Sequence, residues 1–311
     1  WYMDQQGDWF HDAALMGELA RLKGWGDASM ALPRESVAEV AVISSLESEF
    51  YLCGRDSGRN RVTGPLYVAQ IGELCRTGAP FDWFLIEDLA EGLVPPHKAY
   101  VFLDCFYLTP GQRAAIEALK TDGRALIWFY APGYIGHDAL SLDGMEGLTG
   151  MTFSQREQGT LAARLGADKT ESAPIFGPNA AQSPVFVPTG DGLDIRARYT
   201  DTGQPAVVCR DMGAWRSVYS GVPGVPAAEL RGIFAQAGVH IYCDSGDNLS
   251  ANASWLALHT VEAGRKSIRL PQACSVYDIV NDREIGRGVA AFSVELPADA
   301  TAIYKLEPAA P

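Results

Sequence analysis

The feature that most constrains this chain is a stretch in which two apolar runs flank a helix marked at both ends. Tyr100 to Leu103 and Ala125 to Tyr130 are continuous apolar runs, the pattern of parallel strands covered on both faces. Between them, Thr109-Pro110-Gly111-Gln112 has the composition of a capping box. Thr is the N-cap, Pro opens the first turn and Gln stands three residues on. Ile116 and Leu119 supply the apolar side, and Gly123 sits where a left-handed residue ends the segment. Strand, helix and strand in this spacing predict a βαβ unit, which obliges the chain to build a layered α/β fold.

The same alternation recurs on either side. Val40 to Ile43, Phe81 to Ile86, Pro205 to Arg210 and Arg216 to Ser220 read as strands, and Val239 to Cys243 as one more. Helices are predicted from about Pro65 to Arg76, with Val68, Ile71 and Leu74 on one face and Gly78 as the stop, and from Pro226 to Ala237. Residues 34–247 are therefore expected to form a doubly wound parallel sheet. Residues 134–200 are rich in Gly, Pro and Asp and show short strands only near Phe153 and at Val185 to Val187. After Asp247 the period becomes strand-like. Trp255 to His259, Lys266 to Leu270, Ser275 to Ile279, Ala291 to Leu296 and Ala302 to Leu306 predict a small antiparallel module over 248–311, read as a fragment of a sandwich. At the other end, Leu15, Leu19 and Leu22 predict a helix from Asp8 to Leu22 that stops at Gly24. The aromatic run from Trp1 through Trp9 and Phe10 is expected to pack against something.

Charge and composition exclude several functions. Asp plus Glu number 38 against 25 Lys plus Arg, a net charge of -13, which opposes a nucleic-acid partner. No apolar run approaches the ~20 residues that cross a bilayer, so no membrane role is expected. The chain opens on Trp1 without a leader pattern and reads as a piece of a longer protein. Its six cysteines are widely spaced and lie in apolar runs, as buried free thiols in a reducing, cytoplasmic compartment would.

Chemistry is sparse. There is no G-x-S-x-G elbow, and Gly54-Arg55-Asp56-Ser57-Gly58 has the wrong spacing. Gly286-Arg287-Gly288 lies between predicted strands, away from the strand-to-helix turn a dinucleotide needs. The five histidines form no metal-ligand pair, so neither metal nor cofactor is expected. Asp244, Asp247 and Asn248 could line a cation site, although turn residues ending a strand explain them more simply. Glu47, Glu49, Glu87, Asp88 and Asp104 fall near predicted strand ends, where doubly wound sheets keep their sites. Of the seven tryptophans, Trp1, Trp9 and Trp25 cluster enough to suggest contact with a ligand or a neighbouring domain.

Three stretches, taken in order, resemble the back half of family 42 glycoside hydrolases of the β-galactosidase type. Residues 1–22 resemble the end of a catalytic (β/α)8 barrel. Residues 99–133 resemble the central strand–helix–strand of a trimerisation domain with a fold related to class I glutamine amidotransferases, and so flavodoxin-like. Residues 238–260 and 265–286 resemble the junction into a small C-terminal β domain. The resemblance implies three parts, 1–33, 34–247 and 248–311, in a homo-oligomer such as a trimer. The partner would be an upstream barrel carrying the catalytic glutamates, with a carbohydrate ligand for which Trp1, Asp4 and Trp9 are the candidate contacts. No catalytic residue is carried over. Where amidotransferases place a nucleophilic Cys, this chain has Tyr130-Ala131-Pro132-Gly133, a degenerate elbow, and no His-x-Glu follows. The competing expectations are a stand-alone hydrolase using Cys105 or Glu87, and a sugar-binding module.

Overall fold

The computed structural model describes residues 12–52, 61–167 and 172–308. Its first layer is a nine-stranded sheet. Strands β1 (Val40–Ser44), β2 (Phe81–Leu85), β3 (Ala99–Phe102) and β4 (Ala125–Phe129) are parallel, and β13 (Arg216–Ser220) joins them in the same direction. The spatial order of these five is β2-β1-β3-β4-β13, the flavodoxin-like arrangement with its switch point between β1 and β3. Every residue of β1, β3 and β4 is buried. Trp128 stacks on Phe102 at 4.4 Å between ring centroids.

Beyond β13 the sheet is antiparallel, which corrects the expectation of a wholly parallel one. Strands β12 (Pro205–Asp211), β11 (Asp194–Tyr199), β7 (Ala163–Leu165) and β8 (Ile175–Phe176) complete it in that order. The cause is connection length. β12 ends at Asp211 and β13 begins at Arg216, where the Met212 amide donates to the Trp215 carbonyl at 3.0 Å. Four residues close a hairpin, whereas a parallel crossover takes a dozen or more. Two further ladders, β5 (Thr152–Arg156) with β10 (Val185–Thr189) and β6 (Gly159–Thr160) with β9 (Ala181–Gln182), fill the stretch that looked irregular.

Among the helices, α1 (Ala13–Ser29) starts one residue after Asp12, whose carboxylate accepts from the Leu15 amide. It runs through Gly24 instead of stopping there. Short helices α2 (Leu46–Glu49), α3 (Thr63–Pro65), α4 (Ile71–Cys75) and α5 (Ile86–Ala90) follow, with a π-turn over Leu66–Gln70 between α3 and α4. Helix α6 (Pro110–Glu117) has its capping box complete. The Gln112 amide donates to Thr109 Oγ1 at 3.3 Å, and the Thr109 amide donates to Gln112 Oε1 at 2.8 Å. Helices α7 (Leu142–Thr149) and α8 (Ala227–Gln236) complete the set.

Residues 239–243 form no strand, which corrects that expectation. They are an extended crossing between two cores: the Tyr242 amide donates to the Gly78 carbonyl and the Arg269 amide to the Tyr242 carbonyl, each at 2.8 Å. Gly78 has φ +78°, and a Cβ there would lie 1.6 Å from the Cys243 carbonyl oxygen, so this close approach requires glycine. Val239 belongs to the first core and Tyr242 and Cys243 to the second.

The second core is lined by a single antiparallel sheet of five strands. Its order is β14 (Asn248–Ala251), β15 (Trp255–His259), β18 (Thr301–Pro308), β16 (Gly264–Asp278) and β17 (Arg283–Leu296). The two strands expected at 266–270 and 275–279 are one strand, irregular in register between Arg269 and Cys274 around Pro271. Leu256, Leu258, Ile268, Val276 and Tyr304 are buried on its inner face.

Candidate functional site at the carboxyl edge of the sheet

In open α/β sheets a ligand site forms outside the carboxyl ends of the strands. Here those ends bring together Ser44 and Ser45 after β1, Asp104 and Cys105 after β3, and Tyr130 to Gly133 after β4. Asp104 is fully buried. Its Oδ1 accepts from the Ser45 amide at 2.8 Å and its Oδ2 from the Tyr67 hydroxyl at 2.6 Å. Burial outweighs these bonds and pushes the carboxyl up to about 6. Burial and the neighbouring Asp104 also hold the Tyr67 phenol well above its usual value. Tyr67 stacks on Trp83, whose indole donates to Ser44 Oγ at 2.9 Å. At the switch point these side chains thus bond to one another.

The turn after β4 is the sharp one the sequence reading singled out as an elbow. Tyr130 has φ +57°, a conformation uncommon outside glycine. Its amide donates to the Ser220 carbonyl at 2.8 Å, and its carbonyl accepts from the Tyr219 hydroxyl at 2.7 Å. The phenol donates to the Pro184 carbonyl at 2.7 Å and accepts from the Gln182 amide at 3.3 Å. Burial raises its pKa, so the ring stays neutral and anchored. Gly133 has φ +64°; its amide donates to the Cys105 carbonyl, and its own carbonyl accepts from Arg113 at 2.7 Å. A Cβ on Gly133 would meet Leu148 at 2.5 Å and Arg113 at 2.6 Å.

Cys105 lies against this turn, yet its thiol is buried. Burial first, then the charges of Asp104 and Glu87, push it well above the usual range. A nucleophilic thiol needs the opposite environment. Glu87 accepts from the Gln112 side chain at 3.1 Å, and its Oε2 is buried without a partner among the described residues. No histidine lines the elbow cavity among the described residues; His97 is buried between Phe84 and Tyr100 instead.

Beside the elbow opens a cavity of about 550 Å3. Tyr130 and Ala131 line it together with Phe106, Tyr134, Gln182 and Phe186. The structure therefore joins the elbow residues to side chains from residues 134–200, where short strands gave no periodic signal. Trp1, Asp4 and Trp9 lie outside the described residues. Trp25 lies on α1, under the guanidinium of Arg21 at 4.9 Å. Asp247, one of the candidate cation ligands, is paired with Lys266 Nζ at 2.8 Å, both side chains being buried. Asp244 pairs with Arg269 at 3.0 Å. No cluster of metal-ligating side chains occurs among the described residues.

These features define an α/β layer of strand order β2-β1-β3-β4-β13 with a left-handed tyrosine at the turn after β4, followed by a small β domain. No protein-family model matches the sequence, and no curated protein does. Solved structures do match in fold. β-Galactosidase from Bacillus circulans sp. alkalophilus superposes with a TM-score of 0.63 at 18% identity, over 94% of this chain and 44% of that one. A GH42 β-galactosidase from G. stearothermophilus gives 0.66 at 13% identity, over 95% and 44%. The β-galactosidase from Rahnella sp. R3 gives 0.63 at 17%, over 94% and 45%. The chain thus resembles a part of a GH42 β-galactosidase and spans less than half the length of these proteins.

Proposed function

We propose that this chain is the non-catalytic assembly and accessory region of a glycoside-hydrolase-like protein of the β-galactosidase type. Its α/β layer is an amidotransferase-like trimerisation domain, and a catalytic barrel belongs upstream. The observation that supports this reading is the turn at Tyr130, left-handed in its backbone and held by a phenol hydrogen-bonded to the Pro184 carbonyl. The exposed Leu15, Leu19 and Leu22 of α1, a helix without a buried residue, support a docking role for the N-terminal segment. In this reading residues 1–33 end the barrel, Trp1, Asp4 and Trp9 lie beside its carbohydrate, and the whole works in the bacterial cytoplasm.

The test is turnover. The chain alone should hydrolyse neither aryl β-galactosides nor glutamine, and co-expression with its own upstream region should yield a stable complex that hydrolyses the galactoside. Hydrolysis by the chain alone that disappears in Cys105→Ala or Glu87→Gln would replace this reading with the stand-alone hydrolase.

A further inference from the structure

The second sheet carries a cavity of its own, and its chemistry does not depend on assembly. We propose that this cavity binds a neutral saccharide of about disaccharide size. It measures about 660 Å3 and opens between the carboxyl end of α1 and the face of the sheet turned away from the second core. That volume is in the range of small-molecule sites. Strand pairing builds its floor. Trp255 of β15 stands opposite Lys305 of β18, Lys305 opposite Tyr277 of β16, and Tyr277 opposite Glu284 of β17. Partners in register share a face, so aromatic, cation, aromatic and carboxylate follow one another from strand to strand, about 4.8 Å apart. Trp25 of α1 lines the helix side.

The groups in this row suit a polyhydroxylated ring. Tyr277 is 37% exposed, and its hydroxyl donates to Asp282, which holds the ring in place. The electron-rich faces of Trp and Tyr attract the polarised C–H groups of a pyranose. The charges are set in pairs: Lys305 Nζ lies 2.6 Å from Glu307, and Arg287 Nε lies 2.8 Å from Glu284. An anion entering here meets Glu284 and Glu307, and a cation meets Lys305 and Arg287. A neutral ligand disturbs neither pair. Its hydroxyls can donate to the carboxylates and accept from the N–H groups that Lys305 and Arg287 hold beyond those pairs, as charge-assisted hydrogen bonds. An apolar ligand would cover the same charged groups with nothing to replace their water.

The experiment is calorimetric titration of the whole chain with lactose, with cellobiose and, separately, with digalacturonate. At least one of the neutral disaccharides should saturate a single site per chain, and the dianion should bind at least about tenfold more weakly than that sugar. Tyr277→Ala removes a stacking face and Arg287→Ala an exposed donor. Each should weaken the sugar about fivefold or more with unchanged circular dichroism. The Arg287 side chain is 79% exposed, so its variant decides if Tyr277→Ala misfolds. No saturable binding of lactose or cellobiose, equal or tighter binding of the dianion, or unaltered affinity in a folded variant overturns the proposal. Unaltered affinity would place the sugar on another part of the chain.

Discussion

At the scale of single residues, the edge of the sheet shows how burial sets protonation. Asp104 has a folded pKa of about 6 against 3.8 for the free group, because burial disfavours its charge. The folded chain therefore takes up a proton that the unfolded chain releases. Its stability contribution is fully present below pH 3.8 and is lost as pH rises through about 6. Asp104→Asn should gain stability relative to the parent over that interval, by on the order of 2–3 kcal/mol. Urea melts of both proteins at pH 4.5 and 7 measure the difference; parallel curves would show that Asp104 is charged throughout. Gly78 is a second such residue. Gly78→Ala combines a left-handed φ with a backbone clash at Cys243, and should cost ~3 kcal/mol or more in a thermal or urea melt. A loss under ~1 kcal/mol would mean that the crossing between the two cores is loose.

At the scale of elements, legibility followed the range of the interactions. The capping box of α6 was readable because its two bonds span three residues. The apolar runs of β1, β3 and β4 were readable because both faces are buried. Between 152 and 199 only β5 and β10 were readable, near Phe153 and at Val185 to Val187; β6, β8 and β9 were not, since they have two residues each and take their partners from distant segments. Phe186 and Gln182, which complete the cavity, fell in that stretch. Some misreadings were avoidable: the four residues between β12 and β13 announce a hairpin. Others were not, because Val239 to Cys243 has a strand's composition and only the neighbouring cores decide that it crosses between them. In the second domain, the Lys266–Asp247 pair ties β16 to the turn before β14. Burial opposes the Asp247 charge, but bonds from Lys266, Ser245 and the Val261 amide win, so its pKa is lowered. Its stabilisation is present above the unfolded value near 4 and fades as pH falls below it. Lys266→Met strands a buried carboxylate and should cost ~3–5 kcal/mol at pH 7. That deficit should shrink toward pH 3, when the carboxyl is protonated. A deficit independent of pH would assign the loss to packing.

At the scale of the molecule, two cores meet at the extended crossing, and no described helix is long and apolar enough to cross a membrane. The family resemblance was legible in the order of three stretches, and the match in fold covers nearly the whole chain. What the sequence could not convey was the surroundings of Tyr130, whose phenol is bonded on two sides and borders a cavity.

The central claim, that this scaffold serves assembly, is tested most directly by light scattering of the purified chain across micromolar concentrations. The account predicts a discrete multiple of the 33.5 kDa chain mass, three in the trimeric arrangement. A mass of one chain at every concentration would contradict it.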